Sequence, residues 1–112
     1  MGDGWTEMKQ SPTKRSLAEL RKTCSAVEVV EHWNPFARIR KDLFGFIDIL
    51  ALCDGETIAV QSTSWSNVSA RVKKIAESEH LAAVRKAGWR IEVHGWKKGK
   101  DGKYVCRVED LS

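Results

Sequence analysis

Asp48 stands inside the most apolar run of the chain, Leu-Phe-Gly-Phe-Ile-Asp-Ile-Leu-Ala-Leu over residues 43–52. A carboxylate in such a strand is costly to bury unless it is paired, hydrogen-bonded or bound to a metal ion. A buried ionisable group without a local partner tends to mark a site. The run is followed by Cys53-Asp54-Gly55 and then by Glu-Thr-Ile-Ala-Val-Gln-Ser-Thr over residues 56–63. An Asp-Gly pair between two such segments signals a hairpin, because both turn positions tolerate positive φ. With Asp54-Gly55 as a two-residue loop, Cys53 pairs with Glu56, Asp48 faces Gln61, and Phe46 faces Thr63. The two-residue period of a strand then gathers Asp48, Gln61 and Thr63 on one face. Glutamine offers a neutral oxygen for a cation or an amide that can orient a water, and threonine offers a hydroxyl.

The elements that must hold these residues follow from local patterns. Thr13 can cap a helix over 14–23 with Leu17 and Leu20 on its inner face. Residues 26–32 are β-branched and partly alternating, which predicts a first strand that Asn34-Pro35 ends. Residues 35–42 read as a charged connection into the 43–52 strand. Ser66 or Asn67 starts a helix to Glu77 with an apolar stripe of Val68, Val72, Ile75 and Ala76. A second helical piece runs from Ser78 to Ala87 and stops at Gly88. Residues 89–96 alternate as a strand, and a last strand follows at 104–109 after the lysine-rich turn 97–103. The expected order is αβββαββ, an α/β fold with a mixed sheet flanked by helices. Residues 1–12 read as a mobile tail, and 13–112 as one domain.

Composition narrows the function classes. The 112 residues are 42% hydrophobic and 30% charged, ordinary values for a globular domain able to bury a core. No apolar stretch approaches the ~20 residues of a membrane helix, so no membrane partner is expected. The N-terminus has no signal-peptide pattern. Cys24, Cys53 and Cys106 are widely spaced and without zinc-ligand spacing, which favours reduced thiols in a cytoplasmic protein. A net charge of +4 suits a nucleic-acid binder. Arg38, Arg40 and Lys41 precede the Asp48 strand, and Arg71, Lys73 and Lys74 follow the Thr63 end, a distribution suited to phosphate contacts on both flanks of the site. Trp33 and Trp65 are expected to cap the edge of the core, with stacking on a base or ribose as the alternative.

The layout Ile47-Asp48, hairpin turn, Val60-Gln61-Ser62-Thr63 and following helix resembles the core of the PD-(D/E)XK nuclease superfamily. Its small Holliday-junction-resolvase-like and phage-type members are the most similar. The resemblance implies a restriction-endonuclease-like fold and hydrolysis of DNA phosphodiesters, selective for branched or junction structure. By position, Asp48 matches the metal-binding aspartate, Gln61 stands where an acidic ligand is expected, and Thr63 stands where a lysine is expected. Arg71, Lys73 and Lys74 on the next helix are substitutes for that missing cation. Glu19 corresponds to the glutamate often found on the family's first helix. Glu31 is a rival second carboxylate, and Asp42 a third, expected to pair with Arg40 or Lys41. The implied cofactor is Mg²⁺ or Mn²⁺, held by Asp48 with Gln61, Glu19 or Glu31, and the Ser62 carbonyl. The implied partners are DNA and, by analogy, a second copy of the chain. The competing expectation is a catalytically inactive nucleic-acid-binding or phage-assembly module on the same fold.

Overall fold

A computed structural model describes residues 11–112, so the expected tail lies almost wholly outside the described residues. The elements are α1 (Pro12–Leu20), β1 (Ala26–Val29), β2 (His32–Asn34), β3 (Ile39–Lys41), β4 (Ile49–Cys53), β5 (Glu56–Ser64), α2 (Val68–Ala76), α3 (Leu81–Lys86), β6 (Arg90–Lys98) and β7 (Tyr104–Asp110). Five strands form a mixed sheet in the order β1-β4-β5-β6-β7, in which only β5 and β6 run parallel. The α/β layering with helices flanking a mixed sheet is as expected.

Strand β5 is the axis of the fold. Residues Ile58–Thr63 are buried without alternation, as a strand must be when both faces of its sheet are covered. Val60 and Ile58 point with Ile49 and Ala51 towards Leu20 and Val27 on the α1 side. Ala59 points the other way, into a cluster with Ile91, Val93, Val68, Ile75 and Val84 beneath α2 and α3. Gly95 lets α2 lie close to β6. A Cβ there would collide with the Val68 side chain and come within 3.2 Å of the Trp65 backbone.

The hairpin register matches the expectation as far as Ile49. Cys53 pairs with Glu56 and Ile49 with Val60; Asp48 then falls out of register, its amide donating at 2.9 Å to the carbonyl of Val60, the residue already opposite Ile49, as at a bulge. The ladder ends there. Instead of a strand beginning at residue 43, a tight turn joins Leu43 to Ile47, with Phe44 (φ 54°) and Gly45 (φ 84°) both left-handed. Phe46 therefore does not sit across from Thr63. Its side chain reaches the core from the turn.

The expected 26–32 strand is divided. β1 ends at Val29, and the chain then leaves the sheet to form β2, which pairs with β3 as a separate two-stranded arm. Asn34-Pro35 is thus the arm's turn rather than a terminator, and residues 39–41 of the supposed connection are its returning strand. Smaller boundaries also move. Ser11 rather than Thr13 caps α1, by accepting from the Lys14 amide, with Pro12 in the first turn. A short 3₁₀ turn (Trp65–Asn67) precedes α2, whose Ala76 is exposed rather than part of the inner stripe.

Cys24 and Cys53 are joined by a disulfide, which corrects the expectation of reduced thiols; Cys106 is free. The β1–β4 register brings them together, since Ala26 lies opposite Leu52 and the Ser25 amide donates to the Leu52 carbonyl. The bridge closes a 29-residue separation, for which chain entropy gives about 3–4 kcal/mol. Replacing both cysteines by serine, or adding reductant, is expected to lower the urea midpoint accordingly. An unchanged midpoint would mean that the bridge does not form in solution.

Candidate metal centre

Asp48 lies just beyond the hairpin ladder, on the α2 side of the sheet, and is 5% exposed. Its Oδ2 accepts two hydrogen bonds, from Gln61 Nε2 at 2.9 Å and from the Ser62 amide at 2.9 Å. Both donors come from β5, where Gln61 and Ser62 follow Val60, the last residue paired with β4, and they make the burial of Asp48 tolerable. No side-chain cation pairs with Asp48 among the described residues.

Two more carboxylates join it. Glu31, in the link between β1 and β2, and Asp42, at the end of the arm, bring carboxylate oxygens into one group with Asp48, all within 4.8 Å of one another. Each outer carboxylate has its own cation: Arg40 lies 3.7 Å from Glu31, and Lys74 lies 3.4 Å from Asp42. Asp42 thus pairs with α2 rather than with its neighbours Arg40 or Lys41. The turn at Leu43–Ile47 folds residue 42 back beside residue 48, and this produces the grouping.

These residues line a cleft of about 330 Å³ together with Thr13, Gln61, Ser62 and Arg71. The expected residues therefore divide. Asp48, Gln61, Ser62, Glu31, Arg40, Arg71 and Lys74 come together. Lys73, one position off the Arg71–Lys74 face, does not line the cleft, and neither does Arg38, which sits in the arm's turn with φ of 57°. Lys41 lines an adjoining groove with His32, Asp42 and Lys74. Thr63 is buried two positions farther along β5 and does not reach the cleft. Glu19 is exposed on α1 and paired with Lys22 at 2.6 Å. Asp42 enters the carboxylate group itself, more centrally than its place before the strand suggests, and Thr13 lies at the rim of the cleft.

Burial pushes the Asp48 carboxyl up to about 7, and the nearby Asp42 charge adds to the rise; the Ser62 amide and Gln61 oppose it. Such a group needs either a proton or a cation close to neutral pH. The carboxylates and Gln61 offer hard oxygen donors, as Mg²⁺ or Mn²⁺ requires. The Gln61 side chain is 2% exposed and its Oε1 is buried without a hydrogen-bond partner among the described residues. A buried amide oxygen left unsatisfied on a residue that lines the carboxylate cleft is a donor open to a cation or a water.

The opposite face of the same strand carries a second polar network. Ser16 of α1 bonds Ser62 Oγ at 2.9 Å and His94 Nδ1 at 3.0 Å, and accepts from Trp96 Nε1 at 3.0 Å. His94 Nε2 in turn meets Glu92 Oε1 at 2.9 Å. One assignment satisfies every group. Trp96 and Ser62 donate to Ser16, Ser16 donates to His94 Nδ1, and His94 donates from Nε2 to Glu92. Ser16 is fully buried, so this network does not present a nucleophile. It locks α1 to the sheet and thereby fixes Thr13 at the rim of the cleft.

No family model, curated protein or solved structure matches the chain.

The raised Asp48 carboxyl has a definite effect on stability. The unfolded group loses its proton near 4 and the folded group near 7, so the folded state binds more protons between those values. Without divalent ions, the contribution from Asp48 is full below pH 4 and is lost as pH rises towards 7, by on the order of a few kcal/mol. Asp48→Asn is expected to flatten that slope and to be more stable than the parent at pH 8. Denaturant titrations from pH 4 to 8 read this directly, and an unchanged slope in the variant would assign the effect elsewhere.

Proposed function

We propose that the chain is a metal-dependent nuclease of the PD-(D/E)XK type, hydrolysing DNA phosphodiesters with selectivity for branched or junction structure. The observation that carries this reading is the grouping of Asp48, Asp42 and Glu31 in a cleft rimmed by Arg40, Arg71 and Lys74. Carboxylates at this density suit a divalent ion, and the basic rim suits the phosphate that such an ion would share.

Each residue then has a task. Asp48, Asp42 and Glu31 would hold the ion, with Gln61 contributing its free oxygen. The bound ion supplies a polarised phosphate and an activated water. Arg71 and Lys74 project from α2 at i, i+3 spacing, so they share one side of the helix. They would hold the phosphate oxygens as charge builds on them during attack by water. Lys74 offers from α2 the positive charge that Thr63 cannot provide. Asp42 and Glu31 offer the negative charge missing at Gln61. The two departures from the family motif on β5 are thus answered by residues from other elements.

The test uses branched, flapped and linear DNA with Mg²⁺ or Mn²⁺. Cleavage is expected with the parent, and Asp48→Ala is expected to lose at least about 100-fold in rate. Asp42→Asn is expected to weaken Mn²⁺ binding in calorimetry, which separates metal retention from chemistry. Tight DNA binding without cleavage or metal binding would instead identify a non-catalytic binding module. Absence of DNA binding and metal binding alike would end the nuclease reading.

A further inference from the structure

The β2–β3 arm stands apart from the main sheet and carries an unusual tip. Phe36, next to Pro35, is 97% exposed, and Trp33 and Ile39 are each 53% exposed. The tip is nevertheless held in shape. Asn34 Oδ1 accepts from the Phe36 amide at 2.9 Å and from the Ala37 amide at 3.1 Å, and the Arg38 amide donates to the Asn34 carbonyl at 2.7 Å. The fold thus presents an aromatic ring to solvent on a braced turn, where burial would ordinarily be favoured.

Charge indicates what covers that ring. Arg38 lies in the arm's turn and Arg40 and Lys41 on its returning strand, and His32 pairs across from Lys41. Glu31 at the root is the only acidic side chain of residues 31–41. An apolar wedge flanked by cations fits a stacked polyanion better than an acidic or apolar protein surface. The arm is also continuous with the cleft, because Arg40 on β3 lines it beside Asp48.

We infer that the β2–β3 arm is a DNA wedge, in which Phe36 inserts between base steps while Arg38 and Lys41 hold the flanking phosphates. The inference rests on the nuclease reading and supplies its structural selectivity. A branch or flap is already partly unstacked, so opening it for Phe36 costs less than opening continuous duplex. Beyond Arg40 the arm has one more strand residue, Ile39, and then the turn that carries Phe36, so the tip stands close to the cleft wall.

The experiment uses the Asp48→Ala chain, which retains bound DNA uncut, and flapped DNA carrying 2-aminopurine beside the branch. Binding is expected to raise the 2-aminopurine fluorescence as the base unstacks. Phe36→Ala is expected to abolish that rise and weaken flap binding about tenfold, and Phe36→Trp to restore both. Because the ring is exposed, the melting temperature of Phe36→Ala should match the parent. Arg38→Ala is expected to reduce the slope of log K against log salt by about 1. Equal affinity and a silent probe in Phe36→Ala and parent would overturn the wedge while leaving DNA binding intact. If no DNA is bound by any variant, the functional reading falls with it. Loss of a dimer in sedimentation, or of binding to anionic phospholipid vesicles, on Phe36→Ala with DNA affinity unchanged would assign the arm to another surface and also overturn the wedge.

Discussion

A carboxylate has to be held inside this sheet with no cationic side chain paired to it among the described residues. Asp48 meets that constraint through two neutral donors on the neighbouring strand, Gln61 and the Ser62 amide. Those donors work only if β5 keeps its alignment with β4 and is shielded from water on both faces. The shielding comes from α1 on one side and α2 with α3 on the other. The remaining charge is divided among Asp42, Glu31 and the cations beside them, so the electrostatics of the cleft are built outward from one buried group.

Ser62 links the two halves of the molecule. Its main-chain amide serves the carboxylate cleft, while its side chain enters the Ser16–His94–Glu92 network under α1. The first network is charged and one oxygen short of satisfaction; the second is saturated. That contrast separates a site able to take a ligand from a clamp that fills its own hydrogen-bonding capacity.

The part of the site legible in the sequence is the part built from one hairpin. Asp54-Gly55 fixes the turn and the pairing as far as Ile49 with Val60, close enough for the Asp48 and Gln61 side chains to meet although Asp48 itself leaves the register. What escaped depends on longer paths. Asp42 reaches the cleft through a turn with a non-glycine residue, Phe44, in the left-handed region, which composition does not signal. The Cys24–Cys53 bridge needs the β1–β4 register, set by tertiary packing rather than by a turn. The arm was hidden because its second strand, Ile-Arg-Lys, carries two charges in three residues and never enters the core. Glu19 was credited by analogy, yet its place on α1 turns it to solvent and to Lys22.

The hairpin turn has a consequence for how the gene can change. Side chains on β5 alternate between two incompatible environments, the charged cleft and the clamp under α1. A slip of one residue between β4 and β5 would move Gln61 into the clamp and aim Ser62 and Val60 at Asp48. Every polar partner in both layers would be exchanged at once. Insertions or deletions near Asp54-Gly55 that shift this pairing by an odd number of residues are therefore barred, whereas the arm, paired only with itself, has room to lengthen or shorten in pairs of residues.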